Sequence, residues 1–151
     1  MSNKEINSFF NSLGSKLKNR VYTPKSIDSV KDFPLPIGQC FYILDFKRNK
    51  LVFQKGVKEM LGYSESEFDV KKVIDIIHPD DTDMLNRLIR ATLTFATENN
   101  VSKDVAFFLT YRIKKKNGDY IKVLRQSNIF DHDNTGKIIS NISVLSDVSF
   151  L

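Results

Sequence analysis

The sequence predicts an α+β domain: one antiparallel sheet of five strands, with the helices inserted between the second strand and the third. Three observations predict it. An apolar hairpin lies at residues 39–53, a single long stretch of helical period fills residues 82–97, and three long alternating segments follow it.

Each element has its own local signal. Ile6, Phe9, Phe10, Leu13 and Leu17 recur at spacings of three and four across residues 3–20, with Lys, Asn and Ser between them, which is the stripe of an amphipathic helix. Residues 21–38 hold Pro24, Pro34, Pro36 and Gly38 without regular period and read as a linker. The chain therefore divides into a helix and linker over 1–36 and the domain proper over 37–151. Cys40-Phe41-Tyr42-Ile43-Leu44 reads as a strand, Lys47-Arg48-Asn49-Lys50 as a turn, and Leu51-Val52-Phe53 as the returning strand. Gly56 to Leu61 fits a short helix ended by Gly62, and Ser64-x-x-Glu67 has the capping-box pattern for another short turn of helix. Pro79 holds His78 extended, so an Asp at 80 or 81 is placed to cap the long helix. Met84, Leu85, Leu88, Ile89, Thr92, Leu93 and Phe95 give that helix its period, and Glu98-Asn99-Asn100 ends it. The last strands span 104–114, 119–130 and 137–147, with Asn117-Gly118 predicting a two-residue type I′ turn and Asp133-Asn134-Thr135-Gly136 a second turn.

Composition narrows the function classes. A 41% hydrophobic content with 12 Phe and 5 Tyr suits one buried core, and no apolar run approaches the roughly 20 residues that span a bilayer, so no membrane role is expected. One cysteine leaves no internal disulfide, and the N-terminus lacks a secretory pattern, so the expected compartment is cytoplasmic. The net charge of +5 is uneven: residues 1–31 carry +4 and residues 32–151 only +1. A nearly neutral domain with a basic tail offers little to a duplex, and direct nucleic-acid binding is not expected.

Four local patterns, in order, carry a resemblance. They are Phe41-Tyr42-Ile43-Leu44-Asp45, Met60-Leu61-Gly62-Tyr63-Ser64-x-x-Glu67-Phe68, His78-Pro79-Asp80-Asp81, and Lys115-Lys116-Asn117-Gly118-Asp119-Tyr120, followed by Asp147-Val148-Ser149. With this order of elements the chain resembles the PAS family over about residues 37–149. The resemblance implies a sheet in spatial order 2-1-5-4-3, helices on one face enclosing a pocket, and a sensory or interaction module rather than an enzyme. On such a fold the candidate lining from the strands is Tyr42, Phe107, Leu109, Tyr111, Val123, Arg125 and Ser127, and from the helical region Met60, Tyr63, Ile77 and Leu88.

Structural roles account for the residues that cofactor chemistry would use. Flavin photosensors of the family place a reactive Cys in an asparagine-containing motif ahead of the long helix; none stands here, and Cys40, in the first strand, reads as packing. Haem needs an axial ligand, yet residues 82–99 contain no His, and His78 fits a turn-and-cap role. His132 between Asp131 and Asp133 forms a polar tip, read as a solvated loop rather than a metal site. Asp80, Asp81 and Asp83 have a structural task at a helix start, and no nucleophile with a base or phosphate loop stands out, so no catalysis is expected.

Alternation puts Ile121, Val123, Arg125 and Ser127 on one side of the middle strand and Tyr120, Lys122, Leu124, Gln126 and Asn128 on the other, leaving open which side faces the helices. The first strand is apolar on both faces, so something covers the outer one. The amphipathic helix of residues 3–18 is the expected cover, in its own subunit or across a dimer. The functional expectation is a sensory module that binds a small molecule or partner, works as a homodimer and relays to a C-terminal output domain, a helix-turn-helix transcription regulator by family analogy. A ligand-free dimerisation module and a haem or metal sensor are the alternatives.

Overall fold

The computed structural model describes residues 2–151. Its elements in chain order are α1 (Asn3–Leu17), a single 3-10 turn (Ile27–Ser29), β1 (Gln39–Asp45), β2 (Lys50–Lys55), α2 (Val57–Leu61), α3 (Val70–Asp75), α4 (Pro79–Glu98), β3 (Ala106–Lys114), β4 (Tyr120–His132) and β5 (Ile138–Asp147). The strands form one antiparallel sheet in the order β2-β1-β5-β4-β3, the order that the family resemblance implies.

Local chemistry sets the helix starts. Ser2 caps α1 by accepting from the Glu5 amide at 3.1 Å, and Asp69 caps α3 by accepting from Lys72 at 2.8 Å. At α4 the cap is His78, not an aspartate: Nδ1 accepts from the Asp80 amide at 3.1 Å while Pro79 occupies the first turn. Asp81 is thereby free to bind elsewhere, and it takes Arg112 of β3 through both carboxylate oxygens, at 3.0 and 2.8 Å. The Ser64–Glu67 capping box forms reciprocally, at 3.1 and 3.3 Å, on a single turn whose Glu67 and Phe68 amides donate to Ser64 O. The Asn117-Gly118 hairpin is also not type I′. Only Gly118 has positive φ, at 97°, and its amide donates to Lys115 O at 3.0 Å, which is a type I turn closed by a glycine bulge. The 134–136 loop repeats this design, with Gly136 at φ 87° donating to Asp133 O.

Gly56 is the glycine under most constraint. Its φ is +81°, and a Cβ there would meet Gln39 O and Leu35 Cδ1, each at 2.8 Å. Gly56→Ala should lower unfolding free energy by roughly 2–4 kcal/mol, from left-handed strain plus overpacking. Gly118→Ala, with φ +97° but open space around it, should cost only the strain, about 1 kcal/mol. Urea midpoints of the two variants separate the contributions, and equal losses would contradict this packing.

Register decides the faces. Ile113↔Ile121, Tyr111↔Val123, Leu109↔Arg125 and Phe107↔Ser127 are opposed on β3 and β4, and Cys40↔Leu145 and Tyr42↔Ser143 on β1 and β5. Tyr111, Val123, Tyr42 and Cys40 belong to the core that the helices close, so this is the inner face. Phe41, Ile43 and Phe130 are buried but stand apart from that core, on the outer face.

The cover of the outer face is not α1. Ile6, Phe10, Leu13 and Leu17 are buried with Phe46 and with α3 and α4 residues on the helical side, and Lys16 Nζ reaches Glu98 of α4 at 2.6 Å. Phe9 is half-buried under the Arg90 guanidinium, 5.5 Å from its ring centroid. These side chains are used within the subunit rather than across a dimer. The outer face is crossed instead by the 21–38 segment. Tyr22 Oη donates to Asp45 at 3.4 Å, the Lys25 amide donates to Asp131 at 2.7 Å, Lys25 Nζ lies 5.2 Å from the Phe130 centroid, and Lys55 Nζ donates to the Lys31 and Phe33 carbonyls. The physical reason is that a four-residue stripe fills the deep gap beside Phe46, whereas an extended, proline-bearing strap suits a shallow face.

Candidate functional site

A cavity of about 250 Å³ lies between the inner sheet face and α4. Its roof is Leu88, Ile89, Thr92, Leu93 and Ala96, one face of α4 at helical spacing. Val73 and Ile74 of α3 and the pair Phe10 and Phe46 close it. Those two rings are nearly parallel, 6° apart with centroids at 6.4 Å, so α1 forms part of the wall. Segment 76–78 pairs with the far half of β3, through His78 N to Arg112 O at 2.9 Å and Lys114 N to Ile76 O at 2.8 Å. The near half of that edge is uncovered, and there the cavity opens between Leu88 and Phe107, 40% and 36% exposed.

The floor is more polar than the roof. Arg125 and Ser127 of β4, Ser143 and Asn141 of β5 and Tyr42 of β1 reach it because inward parity places them there. Ser127 and Ser143 share a hydrogen bond of 2.8 Å between hydroxyls. Asn141 Oδ1 is buried without a hydrogen-bond partner among the described residues. Arg125 is the one charged side chain among the described lining residues, and none of their ion pairs includes it. Its neighbours are phenols: the guanidinium lies 5.5 Å from the Tyr111 centroid and beside Tyr42. Burial pushes both phenols up, so they stay neutral at physiological pH: they accept hydrogen bonds from Arg125 but supply no counter-charge.

Of the residues singled out in the sequence, Tyr42, Leu88, Phe107, Leu109, Arg125 and Ser127 line the cavity. Met60, Tyr63, Ile77, Tyr111 and Val123 do not; they are buried in solid core toward the sealed end of the sheet, where Ile77 bridges Ile113. Gln126 lies on the outer parity and is exposed. Sequence reasoning missed Phe10 and Phe46, whose approach is tertiary, and Asn141 and Ser143, whose parity was readable only once β5 was in register.

The other candidate groups are accounted for by structure. The Cys40 thiol is buried and pushed up to about 12 by that burial, so it stays protonated. The 131–133 loop is not a solvated tip: Asp131 and Asp133 are buried and accept from Lys25, Ser140, Arg20, Thr135 and Lys137. Among the described residues no three His, Cys, Asp or Glu side chains gather to hold a metal ion.

Comparison with known proteins bears on the fold. A family model described as PAS fold matches residues 50–145. No curated protein matches the sequence. The N-terminal domain of a diguanylate cyclase with PAS/PAC sensor from Marinobacter aquaeolei superposes with a TM-score of 0.60 at 14% identity, over 74% of this chain and 96% of that one. A PAS domain from Colwellia psychrerythraea gives 0.56 at 16% identity, over 76% and 90%. A sensory box histidine kinase/response regulator from Burkholderia thailandensis gives 0.55 at 16%, over 76% and 79%.

Proposed function

The chain belongs to the PAS fold family, and from that membership we propose that it is a sensory module of a signalling or transcription regulator, one that takes a small molecule in its inner-face cavity. It performs no catalysis of its own, works as a homodimer, and passes occupancy to an output module, with helix-turn-helix as the family analogy. The neighbours named for a diguanylate cyclase and a histidine kinase support a signalling context. The observation that carries the reading is the cavity floor: a core built only to be filled would be lined by Phe and Leu, whereas this one holds Arg125 without a carboxylate partner and an Asn141 oxygen without a hydrogen bond among the described residues. An occupant touches Phe10 of α1, the α4 roof and the sheet together, so it can favour one packing of these elements over another.

The second reading is a ligand-free dimerisation module. It is favoured by exposed apolar side chains on α4 and β3, namely Met84, Phe95 and Phe108, each 58% exposed. Native mass spectrometry of the freshly purified chain separates the two. A dimer carrying reproducible extra mass that is lost on denaturation is the expected result; a dimer of bare polypeptide favours the second reading, and a bare monomer counts against both.

A further inference from the structure

We propose that the molecule this cavity takes is a small monocarboxylate with an apolar body, its carboxylate seated on Arg125. The inference rests on the sensory reading above and names the chemistry of its ligand.

Charge comes first. The Arg125 guanidinium is half-buried on the cavity floor, where its partners are the neutral phenols of Tyr42 and Tyr111, and a partly desolvated cation facing an apolar roof favours an anion beside it. No carboxylate of the described lining residues supplies the counter-charge. An external anion does, and the planar fork of an arginine matches a carboxylate through two parallel N–H···O bonds. One guanidinium balances one negative charge. A phosphate dianion would keep a second charge among Leu93, Ala96, Ile89 and Ile129, which offer it nothing.

Size and shape come next. About 250 Å³ lies just under the range of roughly 300–1,000 Å³ typical of drug-sized ligands, so the occupant is small. Arg125 is opposite Leu145, Ser127 opposite Ser143 and Ile129 opposite Asn141. The cation and the unpaired amide oxygen are therefore about four residues apart along the strands, some 13 Å between backbone positions. The cavity runs along the sheet with its charge at one end, a hydroxyl pair in the middle and apolar side chains overhead. That layout fits a short chain or single ring ending in a carboxylate.

The test uses the whole 151-residue chain and paired probes that share an apolar body and differ in having a charged or a neutral head: octanoate against octan-1-ol, and 3-phenylpropionate against 3-phenylpropan-1-ol, by isothermal titration calorimetry. At least one acid should bind tenfold or more tighter than its alcohol, the range expected for hydrogen bonds to a charged group. Arg125→Gln should bring that acid to the level of its alcohol and leave the alcohol unchanged, and Arg125→Lys should keep part of the preference. The wild-type comparison stands even if a variant fails to fold. Acid and alcohol binding equally would overturn the carboxylate assignment while leaving the cavity reading intact. Neither pair binding at millimolar concentration would overturn both.

Discussion

Phe10→Ala should destabilise the fold by roughly 3–5 kcal/mol, the usual loss for a buried phenylalanine, and should at the same time enlarge the cavity. Phe10 is 3% exposed, stacks on Phe46 and lines the cavity wall, so its removal takes away burial, a ring contact and part of the wall together. For a chain of this length the loss corresponds to a fall in Tm of about 10 °C or more. Phe9→Ala, one position away and only half-buried beneath Arg90, should cost much less, about 1 kcal/mol. The contrast is specific to α1 docked on the helical side with Phe10 inward. Equal losses, or a larger loss at Phe9, would mean that the helix presents another face. Thermal denaturation of the two variants, with a dye that fluoresces in apolar cavities, reads both effects.

Asp133→Ala should lower stability by roughly 2–4 kcal/mol at neutral pH, because it leaves several donors without an acceptor. Asp133 is 3% exposed and accepts from Arg20 Nη1 at 2.9 Å, from the Thr135 amide and hydroxyl at 2.8 and 2.7 Å, and from the Lys137 amide at 3.0 Å. Arg20 also donates to Thr97 O at 3.3 Å, so the carboxylate ties the chain just after α1 to the end of α4 and the β4–β5 loop. Burial alone would push this carboxyl up. The bonds from Thr135, Lys137 and Arg20 outweigh it and hold the carboxyl well below the usual carboxylate range. A folded pKa below the unfolded value of about 3.9 stabilises the fold at pH above that value, and the contribution is lost as pH falls below about 4. The wild type should therefore lose stability on acidification more steeply than Asp133→Ala, and the gap between them should narrow toward pH 3. Urea titrations at pH 7, 5 and 3.5 check this; a gap that is constant with pH would remove the carboxylate from the account.

What was legible in the sequence was whatever depends on neighbours along the chain. The period of α4, the alternation of the three long strands, the stripe of α1 and the glycines of both hairpins are local signals, and all sit within a few residues of their observed positions. What failed was tertiary. The stripe of Ile6, Phe10, Leu13 and Leu17 showed that α1 must dock but not where, because the gap beside Phe46 is built by residues far apart in sequence. Asp81 looked like a cap, and its partner Arg112 lies 31 positions away. Asn117-Gly118 marked a turn correctly, while its type depended on Asn117 keeping an ordinary φ. At the site, Arg125 and Ser127 stand among the polar residues that recur along the middle strand, and both face the cavity. Tyr111 and Val123 share this face but lie farther along the strands, where segment 76–78 seals the edge, so parity grouped these residues while leaving open both the face that turns inward and the position of the cavity along it.

A molecule held in the inner-face cavity would touch α1, α4 and the sheet at once. Amide correlation spectra of the ¹⁵N-labelled chain, recorded as octanoate and, separately, 3-phenylpropionate are added, test this. The account predicts shifts centred on Arg125 and Ser127, on Ser143, on the 89–96 stretch of α4 and on the turn of α1 around Phe10, with the 21–38 strap left unmoved. Shifts confined to the strap and outer face, or no shifts at millimolar ligand, would contradict it.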